Sequence, residues 1–197
     1  MIPGYSKDLK GSDNLKYNPT KAKELWAKAD AISKYDGKLT FSFTPMAALS
    51  DLRGRGEPGE QHPRHPGLDQ PDATFQEFRD AISNRTIKGA FRTAWQPDYP
   101  SAENYLYQLY DTAAANGHGS NDGDYSNKDV DKLLDQAASA TDQETAIKYY
   151  HDAEEILLEQ LPAFPLYYSN ADGVAAKGVK NFQMDWQNQP IYEEMSK

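Results

Sequence analysis

Along this chain, apolar residues fall into segments of period 3.6 and segments of period 2, separated by joints rich in Pro, Gly and Asn. The opening stretch to Tyr17 is loop-like. Asn18 then offers an N-cap oxygen, Pro19 suits the first helical position, and Ala22, Leu25, Trp26 and Ala29 predict an apolar helix face. Lys38–Phe43 alternates polar and apolar and predicts a strand. Thr74 and Glu77 have capping-box spacing, which predicts a helix carrying Phe75, Phe78 and Ile82. Gly89–Trp95 predicts a second strand, closed by Pro97 and Pro100. Glu103–Tyr110 predicts a short helix with Tyr105, Leu106 and Leu109 inward. Beyond a loop at Asn116–Asn127 two longer helices are predicted. Lys128–Ser139 buries Val130, Leu133, Leu134 and Ala137, and Gln143–Leu161 buries Ala146, Tyr150, Ala153, Ile156, Leu157 and Leu161. Ala163–Tyr168 predicts a strand, and Gly173–Trp186 one or two more. Alternating helices and strands predict an α/β class, a mixed sheet with flanking helices.

One stretch has no period. Thr44–Asp72 holds five of the twelve prolines and the run Arg53-Gly54-Arg55-Gly56, and it predicts no packed element. A structureless loop of that length is out of place in a compact domain.

Composition narrows the function classes. The 197 residues suffice for one core or two small ones. A mean hydropathy of −0.85 beside 13 Tyr suits a soluble domain that exposes rings in a groove. A net charge of −9 speaks against a nucleic-acid partner, which needs a basic face. The chain has no Cys, which excludes disulfides, thiol catalysis and thiolate metal sites while leaving the compartment open. Met1–Lys7 lacks the basic-then-apolar order of an export signal, so the signal of an exported parent is expected outside this chain.

Four runs carry a resemblance. They are Tyr17–Leu25 (YNPTKAKEL), Phe91–Pro100 (FRTAWQPDYP), Asp124–Asn127 with Val130–Leu134, and Ala153–Leu157 continuing through Leu161–Tyr168 (LPAFPLYY). Each is weak alone, but together, in this order and at these separations, they resemble the second lobe of family 5 extracellular solute-binding proteins. These are the oligopeptide- and dipeptide-binding proteins of ABC importers. The resemblance implies a type II periplasmic-binding-protein fold, two lobes closing on an extended peptide. It implies residues 1–162 as the second lobe and residues 163–197 as a C-terminal segment returning toward a first lobe outside this chain. It also implies an extracellular, periplasmic or lipoprotein-anchored parent that acts as a monomer, with a peptide ligand and ABC permease subunits as partners, and no cofactor.

Residues 44–73 depart from that pattern. Codons for Asp51–Glu57, read one nucleotide later, can spell Thr-Tyr-Val-Asp-Ala-Val. Those for Glu60–Leu68 can spell Asn-Ser-Ile-Arg-Asp-Thr-Leu-Gly-Leu, close to the helix the family has there. The expectation is a frame-shifted segment, marked in the coding DNA by compensating insertions or deletions near Thr44 and Thr74. A divergent or disordered native loop stands beside it.

Asp98 leads the candidate site residues. Every peptide shares a cationic amine at its N-terminus, and a carboxylate at a strand end can form a charge-assisted hydrogen bond with it. By motif match Asp98 occupies the family's ammonium-binding position; the plainer reading is a cap on the turn between Pro97 and Pro100. Trp95 stands at the family's pocket border or is an ordinary core ring. Tyr99, Asn104 and Tyr125 are further ligand-binding candidates. No metal or catalytic group is expected. His62 and His65 have no helix and no third ligand, and Asn121–Asp124 lacks the EF-hand frame. No hydrolase order or phosphate loop occurs, so an enzyme acting through a carboxylate pair is a distant second reading. A decayed reading frame, or a solute-binding protein for a non-peptide ligand, is the other.

Overall fold

The computed structural model describes residues 4–33, 41–42, 75–87, 89–168 and 172–197. It falls into two compact units, residues 17–94 and residues 1–16 with 95–197.

In the smaller unit, α1 spans Pro19–Ile32 and starts as the sequence predicts, with Asn18 Oδ1 accepting from the Lys21 amide at 3.0 Å. Its predicted apolar face is not buried: no α1 residue is, and Leu25 and Trp26 are each about half exposed. The stripe is too narrow for burial, because Ala22 and Ala29 add little area and Lys21, Lys23, Glu24 and Lys28 crowd it. Strand β1 (Phe41–Ser42) pairs in parallel with β2 (Ala90–Phe91). Parallel pairing needs a crossover, and helix α2 (Phe75–Ser83) lies within it. Phe78 and Ile82, four residues apart, are the buried positions of α2, and the Phe78 ring meets Phe91 edge to face at 6.4 Å. Phe75 stays exposed. Of the predicted strands, the two-residue ladder is what forms among the described residues. The Thr74 cap, His62, His65 and the irregular segment 44–73 lie outside those residues.

The larger unit holds α3 (Glu103–Tyr110), α4 (Lys128–Ala138) and α5 (Gln143–Gln160), with bounds within a residue of those predicted. Local chemistry fixes them. Asn127 Oδ1 accepts from the Asp129 and Val130 amides at 2.9 and 3.4 Å, and Asp142 Oδ1 from the Thr145 amide at 2.8 Å. At its other end α5 stops on Leu161, in the left-handed region with φ 48°. Leu106 of α3, Val130, Leu134 and Ala137 of α4, and Tyr150, Ala153 and Leu157 of α5 share one buried cluster. The loop between α3 and α4 folds around Asn121, which is 1% exposed. Its Nδ2 donates to the carbonyls of Asp111 and Tyr125 at 3.0 and 2.8 Å, and its Oδ1 accepts from the Tyr125 amide at 3.0 Å.

Residues 4–16 run along α5. The Gly4 carbonyl meets His151 Nε2 at 2.5 Å, the Lys10 amide donates to Glu155 Oε1, and Asn14 Nδ2 donates to the Leu158 carbonyl. Gly4 has φ +83°, and a Cβ there would lie 2.8 Å from Ile147 Cγ1, so the approach requires glycine. Past α5 the predicted strand Ala163–Tyr168 does not form. Its chain pairs with no strand among the described residues, and Phe164, Leu166, Tyr167 and Tyr168 are exposed. A strand requires a neighbour's ladder, which a favourable sequence cannot supply by itself. Farther on, the strands predicted within Gly173–Trp186 reduce to antiparallel bridges, Lys180 with Ser196 and Met184 with Pro190.

Candidate functional site

The segment Trp95–Pro100 leads into α3, and its shape is set from the first turn of that helix. Pro97 and Pro100 restrict the backbone at two positions. Asn104, 2% exposed, aims its carboxamide back at the segment. Its Oδ1 accepts from Trp95 Nε1 at 3.1 Å and from the Asp98 amide at 3.0 Å. One buried oxygen therefore fixes both the indole and the backbone of the aspartate. A second anchor is Gln96 Nε2, which donates to the Gln187 carbonyl at 2.5 Å. Gln187 lies in a turn closed by Asp185 Oδ1, which accepts from the Gln187 and Gln189 amides at 2.8 Å each. Below the segment, the Ser101 amide donates to the Tyr99 carbonyl at 2.8 Å, and Ser101 Oγ accepts from the Glu103 amide at 3.2 Å.

Three of the predicted site residues therefore meet at one turn. Asp98 is exposed, and among the described residues no cation or hydrogen-bond donor pairs with its carboxylate. Trp95 is half-buried, and Tyr99 is 40% exposed. A carboxylate with no partner among the described residues, on a doubly anchored backbone with an indole three residues before it and a phenol next to it, can accept hydrogen bonds from a cation while rings cover its apolar surroundings.

The other two candidates each use an oxygen within the protein: the Asn104 Oδ1 and the Tyr125 hydroxyl. Asn104 works from beneath the turn. Tyr125 stacks edge to face on Tyr110 at 6.3 Å, and its hydroxyl donates to Gln160 Oε1 at 2.7 Å, which ties it to the end of α5.

Sequence reasoning missed a titratable cluster beside the core. Burial pushes the Glu154 carboxyl up, against a smaller opposing pull from His151. Tyr110 is pushed up by burial and then by the Glu154 charge. The signal was present, because Glu154 lies four residues after core Tyr150 and three before core Leu157. Asp111, 5% exposed, also has its carboxyl raised by burial, opposed by the bond from the Ala113 amide. Among the described residues no group of His, Asp and Glu is placed to hold a metal ion. Asn121 is spent on its loop, and Asp124 Oδ1 accepts from the Asn116 amide at 2.7 Å. No described helix is long and apolar enough to cross a membrane.

No protein-family model matches the chain. Among curated proteins it is 27% identical over 188 residues to the dipeptide-binding protein DppE of Bacillus subtilis, covering 91% of this chain and 34% of that protein. Over 98 residues it is 32% identical to the periplasmic murein peptide-binding protein MppA of Escherichia coli, covering 48% of this chain and 17% of MppA. Of solved structures, HbpA2 from Haemophilus parasuis superposes with a TM-score of 0.66 at 19% identity, over 98% of this chain and 37% of that one. The ABC transporter-associated periplasmic binding protein DppA from Helicobacter pylori, in complex with the peptide STSA, gives 0.55 at 24% identity, over 82% and 30%. The chain spans about a third of the length of the first of these relatives. The structural likenesses establish the fold, that of part of a type II periplasmic binding protein, and the helix-rich chain with its short parallel pair is a partial α/β domain. Sequence and fold thus agree: the chain is similar to dipeptide-binding and murein peptide-binding proteins and matches a portion of their length.

Proposed function

We propose that this chain supplies part of the ligand-holding surface of an extracellular solute-binding protein serving an ABC importer, and that the ligand is a short peptide. Asp98 accepts hydrogen bonds from the peptide's N-terminal ammonium, with Trp95 and Tyr99 as walls beside it. Affinity that does not depend on side-chain identity then comes from the amine and main chain, as in strand addition. The observation that supports this reading best is the exposed Asp98 carboxylate on a backbone held by Asn104. The role is binding, without a covalent step, in keeping with relatives that are named as binding proteins.

Only the walls contributed by this chain are available to a ligand, so binding by it is expected to be weaker than micromolar. A titration with short free-amine peptides, followed residue by residue by nuclear magnetic resonance, tests the proposal. Shifts centred on Trp95–Tyr99 with Kd above about 10 µM are expected. Shifts confined to other residues would contradict the site, and micromolar or tighter binding would contradict the part-groove reading.

A further inference from the structure

Asn104 is a buried polar side chain, at 2% exposure, and its single Oδ1 serves two donors that belong to different parts of the candidate site. We propose that Asn104 is a positioning residue for the ammonium site. It does not touch ligand; it sets the spacing and orientation of the Trp95 ring relative to the Asp98 backbone, so that wall and carboxylate form one rigid unit. This rests on the reading of Asp98 given above and assigns a role to a residue behind it.

Three features carry the inference. First, no other hydrogen bond restrains the Trp95 indole or the Asp98 amide among the described residues. Without the Asn104 oxygen, ring and backbone would be free to move independently. Second, Asn104 itself is fixed, because it lies in the first turn of α3, whose next residues reach Leu106 in the core cluster. Movement of the oxygen is thereby coupled to the best-packed part of the molecule. Third, the required chemistry is narrow. The oxygen must accept twice and sit on a short stem, which Asn and Asp satisfy and Ala, Leu or Lys do not.

The test uses the full chain carrying Trp26→Phe and Trp186→Phe, so that the one remaining indole is Trp95. In that chain the Asp98 amide and the Trp95 indole N–H are expected to exchange with solvent at least about tenfold more slowly than in an open coil, although Asp98 is exposed. Exchange at the coil rate would overturn the proposal without any variant at position 104. Adding Asn104→Ala is expected to release both protons to fast exchange and to weaken binding of a free-amine tripeptide about tenfold, with its N-acetylated form unaffected. Asn104→Asp, which keeps the acceptor, is expected to restore slow exchange of both protons; a merely structural role would restore stability but not this pair of protons together. An Asn104→Ala chain that still prefers the free amine as strongly as its parent would overturn the proposal alone. A parent chain that shows no such preference would overturn the peptide reading, and this proposal with it.

Discussion

At the scale of single residues, the best-defined feature of the larger unit is a set of buried carboxamides. Asn121 closes its loop with three hydrogen bonds, and removing it leaves the Asp111 carbonyl and both polar groups of the Tyr125 backbone without those partners. Each orphaned group costs about 1–3 kcal/mol, partly relieved by water. Asn121→Ala is therefore expected to lower stability by about 2–4 kcal/mol in denaturant unfolding; a change below about 1 kcal/mol would contradict this. Glu154 carries a prediction about pH. Burial raises its folded-state pKa above the ordinary 4.5, so the folded chain retains this proton to higher pH than the unfolded chain does. Its contribution to stability is greatest below the ordinary value and is lost as pH rises through the raised one. Glu154→Gln removes that loss. The Tm of the variant minus that of the parent is expected to be more positive at pH 7 than at pH 4, and an equal or reversed difference would count against the burial assigned to Glu154. Asp98 was legible in the sequence as a candidate because its neighbours formed a motif. Asn104 was legible only as a polar group near that motif. Its burial was hidden because the apolar period of Glu103–Tyr110 pointed to Tyr105, Leu106 and Leu109, and said nothing about which polar residue shared the inner face.

At the scale of elements, α3, α4 and α5 were readable to within a residue because a helix satisfies its own backbone and announces its ends. The Asn127 and Asp142 caps and the core stripe of Val130, Leu134 and Ala137 are local signals. Strands were not readable in the same way. Ala163–Tyr168 has the composition of a strand, yet no ladder forms with the described residues. Among the described residues, Gly89–Trp95 contributes Ala90–Phe91 to pairing. Helix α1 shows that a well-read start does not guarantee a buried face. Two leucines therefore make a paired test. Leu134, 1% exposed in the cluster of α3, α4 and α5, is expected to cost about 2–5 kcal/mol as Leu134→Ala. Leu25, 54% exposed on α1, is expected to cost less than about 0.5 kcal/mol as Leu25→Ala. Comparable losses at the two sites, measured by thermal unfolding, would contradict the exposure described for α1.

At the scale of the whole molecule, periodicity gave the α/β class but not the fold. Two residues of parallel pairing are too few to specify a topology, and the type II architecture became legible through the resemblance carried by Tyr17–Leu25, Phe91–Pro100, Asp124–Leu134 and Ala153–Tyr168. The structural likeness then confirmed that architecture over nearly all of the chain. The chain spans about a third of the DppE protein it matches, and the proposed site belongs entirely to its larger unit. In the proposed function, the turn at Asp98 is what makes that unit a binding surface rather than a helical core with an irregular edge. Calorimetric titration of the full chain with one short peptide, as its free amine and as its N-acetyl derivative, tests this directly when run on the parent and on Asp98→Asn. The parent is expected to favour the free amine by about tenfold, and Asp98→Asn to bind both forms about equally weakly. Equal binding of the two forms by the parent, or an undiminished preference in Asp98→Asn, would contradict it.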